Sequence, residues 1–131
     1  MQTHRSDNHR WSRLTQTAQE EVDSVIAALP RKVRDRLSAL PVTFDPKPNA
    51  DMVASGIDPD RTLGLFTGVP YSRAIAVSQH LPPQIILFLE NISAYVGNNP
   101  PKFRAQVRRT LLHEIGHYLG LDEDEVDMRG L

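Results

Sequence analysis

His113 and His117 stand four residues apart, with Glu114 beside the first, in the run His113-Glu114-Ile115-Gly116-His117-Tyr118-Leu119-Gly120. A helix turns about 100° per residue, so this spacing stacks the two imidazoles one turn apart on one face, where both can reach a single metal ion. Glu114 projects beside them, poorly aimed as a third ligand but well aimed at a water that the metal activates. The segment therefore has to fold as a helix if it is to do chemistry, and the chemistry it points to is metal-assisted hydrolysis.

The flanking sequence agrees with a helix. On a helical wheel of residues 101–119, Val107, Leu111, Ile115, Tyr118 and Leu119 fall on one arc and Gln106, Thr110, His113 and His117 on another. Pro100-Pro101 supplies a start, because a first turn needs no amide donors, and Gly120 supplies a stop. Arg104 and Arg108 intrude on the apolar arc, which predicts deep packing only for the C-terminal half of this helix.

A glycine three residues after His117 can take the left-handed conformation that turns the chain back toward a metal. The run that follows, Leu121-Asp122-Glu123-Asp124-Glu125-Val126-Asp127, carries five carboxylates in seven residues. A site with two histidines needs a third protein ligand, and this run offers several.

The pattern His113, Glu114, His117, Gly120 and Glu123 resembles the H-E-x-x-H-x-x-G-x-x-D/E motif of the small bacterial zincin-like metallopeptidases. Upstream, Gly64-Leu65-Phe66-Thr67-Gly68-Val69-Pro70 is similar to that family's G-[LI]-[YF]-x-G-x-P stretch, and Ile85-Ile86-Leu87-Phe88 to its I-x-L-[YF] strand. The likeness extends from about Leu29 to the end. Phe88-Leu89-Glu90-Asn91 stands where the family pattern has a tyrosine followed by basic residues. The resemblance implies that His113, His117 and Glu123 hold one Zn2+ per chain and that Glu114 is the base. It also implies a minimal zincin-like α+β domain, with a small, mostly antiparallel or mixed sheet packed against the long metal-binding helix. In such folds one edge strand takes an extended peptide as an added strand.

The 131 residues predict one domain with a single core. With 40% hydrophobic and 24% charged residues and a formal net charge of −1, nothing recommends nucleic acid or an anionic membrane as partner. The expected partner is an extended peptide or protein substrate. No apolar run approaches the ~20 residues of a membrane span, and Met1-Gln2-Thr3-His4-Arg5 lacks the apolar core of a signal peptide, so the expectation is cytoplasmic residence. The absence of cysteine removes disulfides and thiolate ligands together.

Residues 1–14 are polar apart from Trp11 and Leu14 and are expected to form a mobile arm, with the catalytic domain occupying 15–131. His4 and His9 belong to that arm. Thr17-Ala18-Gln19-Glu20 has the form of a capping box, followed by Val22, Val25, Ile26 and Leu29 at helical spacing. Pro30 opens a second, basic helix that ends at Pro41. Short apolar runs then predict strands at Val42 to Phe44, Thr62 to Thr67, Ala74 to Gln79 and Gln84 to Leu89, with a long surface loop over 45–60. The run from Gln84 is nearly continuous in apolar character and belongs near the middle of the sheet.

In this scheme Glu114 takes a proton from water and returns it to the leaving amine. Tyr118 and Tyr71 are candidate donors to the developing oxyanion; His80, followed by Leu81-Pro82-Pro83, reads as a loop residue. Two other classes share these features: a metal-binding domain without turnover, and an interaction module whose metal is structural. The sequence carries no indication of oligomeric state.

Overall fold

A computed structural model describes residues 2–68 and 83–120 of the chain. Five helices and three strands occur among them: α1 Gln2–Ala28, α2 Arg31–Arg36, β1 Val42–Asp45, α3 Ala50–Ala54, β2 Gly64–Thr67, β3 Gln84–Phe88, α4 Leu89–Tyr95 and α5 Pro100–Tyr118. The expected strand at Ala74 to Gln79 lies outside the described residues.

β3 is the centre of the sheet, as its apolar run Gln84-Ile85-Ile86-Leu87-Phe88 predicts. A strand flanked on both sides and covered on both faces has no polar side to show, and Ile85 through Phe88 are all buried. β1 pairs with it in parallel, Val42 opposite Ile85, and β2 antiparallel, Gly64 opposite Leu87. The sheet is thus mixed, with order β1-β3-β2. Its continuation differs from the sequence expectation by one residue, since Leu89 begins α4 directly after the strand.

The core forms where α1 and α5 pack together and α5 lies over β2 and β3. From α5 it takes Phe103, Val107, Leu111, Ile115 and Tyr118, a stripe with spacings of four and three that follows the helical period. Packing therefore reaches the first turn of α5 rather than stopping midway. Arg104 does not prevent this, because its guanidinium swings outward to Glu20 at 3.0 Å and Glu21 at 3.6 Å on α1.

The arm expected at 1–14 is instead the first half of α1. The reason is a continuous stripe of Trp11, Leu14, Ala18, Val22 and Val25 that packs on the core, so the capping-box residues sit inside a helix whose tertiary contacts outweigh a local start signal. Arg10 fastens the same segment. Its Nε and Nη2 donate to the two carboxylate oxygens of Glu90 at 3.2 and 3.1 Å, and Nη2 also reaches Ser93 Oγ at 3.1 Å.

Loop 45–60 also holds more order than its composition suggests. Asn49 caps α3 by accepting from the Met52 amide at 2.9 Å, and Lys47 pairs with Asp60 at 2.9 Å across the loop. Between α4 and α5 the chain turns through Gly97 and Asn98, both at positive φ, and Asn99 then caps α5 ahead of Pro100 and Pro101. Gly120, at φ 83°, closes α5 as the sequence predicts. No helix among the described residues is long and apolar enough to cross a membrane.

Leu111 is fully buried where α5 meets the rest of the core. Leu111→Ala should cost about 2–5 kcal/mol, read as a fall in the urea midpoint with little change in its slope.

Candidate metal centre

α5 carries His113, Glu114 and His117 in its last two turns. His113 and His117 are half-buried, with ring centroids 4.8 Å apart and edge-to-face, while Glu114 between them is only 9% exposed. One ligand-type atom from each of His113, Glu114 and His117 can be chosen so that all lie within 4.8 Å of one another. Among the described residues this is the single group of three such side chains. Two imidazoles one helical turn apart, with a carboxylate beside them, suit the chemistry of a zinc site, so the residues fit the metal that the motif implies.

The helix does not face open solvent here, because β2 lies against it. A methyl group built at Gly64 would stand 2.7 Å from Thr110 Cγ2, and 3.4 Å from both Glu114 Cγ and Leu87 Cδ2. Only a residue without Cβ lets the strand approach so closely. The Phe66 ring meets Tyr118 further along, at 5.7 Å between centroids. β2 thus runs beside α5 in the same general direction, from Thr110 and Glu114 toward Tyr118. A cavity of about 260 Å³ opens at the beginning of this seam, lined by Leu63, Gly64, Thr110, His113 and Glu114 among others.

Two polar devices hold the approach of β2. Asn91 is 2% exposed, and its Nδ2 donates to the carbonyls of Pro59 and Thr62, each at 2.9 Å. Asp58 accepts from the amides of Asp60 and Arg61 at 2.8 and 3.0 Å, and these donors hold its carboxyl below the ordinary carboxylate range. Sequence reasoning singled out neither residue for this purpose. Asp58-Pro59-Asp60 carries a turn signal of the Asx type, but nothing local shows that Asn91 reaches back across 32 residues. Glu90 and Asn91, which depart from the family pattern, accordingly serve the scaffold: Glu90 binds Arg10 and Asn91 staples the entry to β2.

Tyr118 corrects an expectation. Its side chain is 5% exposed within the core, and its hydroxyl donates to the Arg36 carbonyl at 3.0 Å. One residue past His117 the helix has turned through about 100°, enough to carry Tyr118 from the metal face to the buried arc. It is a packing residue that ties α5 to the end of α2, and it is not placed to serve an oxyanion. Glu123, Asp122 and Asp124, together with Tyr71 and His80, lie outside the described residues. His9 is exposed on α1, remote in sequence and element from the turn that carries His113 and His117.

A model of the zincin-like metallopeptidase family matches residues 37–131, well over half of the chain. No curated protein matches it.

The Gly64 contact can be tested by itself. Gly64→Ala should destabilise the fold by about 1–3 kcal/mol through overpacking against Thr110. Adding Thr110→Ser removes the Cγ2 atom that the new methyl meets and should restore part of that loss, read as a positive coupling in a double-mutant cycle of denaturant unfolding.

Proposed function

Because the chain belongs to the zincin-like metallopeptidase family, we propose that it is a zinc-dependent peptidase acting on extended peptides at the turn carrying His113, Glu114 and His117. The observation that carries this reading is the juxtaposition of that turn with β2, one of the two outer strands of the described sheet. An outer strand offers backbone amides and carbonyls in a row, so a peptide added beside it is held by its main chain with little demand on sequence. Gly64 brings that strand against Glu114 itself, which sets an added peptide beside the ligands rather than at a distance from them.

His113 and His117 would hold the ion, with Glu123 as third ligand on the strength of the family motif. Zinc in such a donor set supplies a Lewis acid that acidifies water and polarises a carbonyl. Glu114 takes the proton of the attacking water on one oxygen and delivers it to the amine nitrogen as the peptide bond breaks, returning to its ionised state. Its burial against β2 excludes competing water from the carboxylate and fixes its direction. The helix backbone performs the positioning, since Glu114 follows His113 directly and the two cannot move independently.

Metal content should approach one zinc per chain in the wild type and fall sharply in His113→Ala and His117→Ala, measured by elemental analysis after dialysis. Glu123→Ala should weaken zinc binding in the same assay, and a silent Glu123→Ala beside a damaging Asp122→Ala or Asp124→Ala would move the third ligand.

Glu114→Gln should keep zinc and fold while losing about 10²–10⁴-fold in cleavage of casein or a mixed pool of extended peptides. Equal rates for wild type and Glu114→Gln, both loaded with zinc, would sink the proposal.

A further inference from the structure

The cavity beside His113 and Glu114 contains a cation that neither the described part of the fold nor the proposed reaction uses. Arg109 lies one helical turn before His113, on the same face of α5, and lines the same cavity as His113 and Glu114. The other arginines that reach across the molecule have partners, Arg10 at Glu90 and Arg104 at Glu20 and Glu21. Arg109 is exposed and makes no hydrogen bond or ion pair with any described residue. Among the described residues lining the cavity the only other charged group is Glu114, which is buried toward the ligands.

We propose that Arg109 is a specificity residue that binds a carboxylate of the substrate on the carboxyl-terminal side of the scissile bond. The inference rests on the peptidase reading for what occupies the seam, and adds which peptides fit it. A guanidinium offers a planar fork of donors that matches a carboxylate. The direction follows from the strand. β2 runs from the Thr110 and Glu114 end of α5 toward Tyr118, so a peptide added antiparallel to it, in the ladder that is the more stable per residue, runs from the Tyr118 end toward Arg109. Four helical residues separate Arg109 from His113 by about 6 Å, and helical side chains lean toward the N-terminus, which carries the guanidinium further out. At roughly 3.3 Å per extended residue, the carboxylate recognised sits about two or three residues beyond the cleaved bond. It can be the side chain of an aspartate or glutamate, or the terminal carboxylate of a short peptide.

The test uses one extended peptide in four forms: glutamate or glutamine at the third residue after the scissile bond, each ending as a free acid or as an amide. Binding to zinc-loaded Glu114→Gln is followed by fluorescence anisotropy, and cleavage by the wild type is measured on the same set. Peptides carrying the recognised carboxylate should bind about 10-fold or more tightly than their neutral counterparts, since one charge-assisted pair is at stake. Arg109→Gln should erase that difference and Arg109→Glu should invert it in favour of the neutral glutamine and amide forms. The glutamate arm and the free-acid arm separate the two sources of the carboxylate. Equal binding of charged and neutral forms, or a preference that survives Arg109→Gln, overturns the proposal. Carboxylate-dependent binding without cleavage by the wild type would uphold Arg109 while removing the peptidase reading; cleavage without discrimination would do the reverse.

Discussion

One helix has to satisfy two solvents. α5 buries Phe103, Val107, Leu111, Ile115 and Tyr118 against the core while it keeps Thr110, His113, Glu114 and His117 along the seam with β2. The period of the helix is what permits this, because residues at spacings of three and four separate into two longitudinal faces. Everything else in the described fold is arranged around that division. α1 and β3 take the apolar face, and β2 takes the polar one at a distance that only glycine at position 64 allows.

The seam is maintained by hydrogen bonds remote from it in sequence. Asn91 is buried on α4, yet it holds the carbonyls of Pro59 and Thr62, so the segment entering β2 is anchored to the helix that follows the central strand. A buried amide of this kind is fully used: its donors are engaged, and no buried side-chain polar atom among the described residues lacks a partner. The strand nearest His113 and Glu114 therefore inherits its position from the core.

Much of this was legible in the residues. Pro100-Pro101 and Gly120 mark both ends of α5, and the unbroken apolar run of Gln84 to Phe88 marks the central strand, because these signals are local and backbone-driven. The strand expected at Thr62 to Thr67 forms over its last four residues, Gly64–Thr67. What escaped is long-range. Trp11 and Leu14 read as isolated apolar residues in a polar segment until the stripe they share with Ala18 and Val22 is followed into the core. Tyr118 shows the opposite failure, since nearness in sequence to His117 suggested a chemical role that one residue of helical rotation removes. The partners of Asn91 and Arg10 are set by tertiary placement, which no periodicity encodes.

The packing of α1 has a consequence for what counts as the unit of folding. The family likeness spans 37–131, whereas Ala18, Val22 and Val25 lie in one buried cluster with Phe103, Val107 and Leu111, and Arg10 grips Glu90 from 80 residues away. Cut at the boundary of the likeness, the chain would keep its chemistry-bearing turn and lose the wall behind it, leaving the rear of α5 to water. The segment that marks the chain's kinship is thus smaller than the packed unit, and α1, which lies outside it, covers the apolar face of α5.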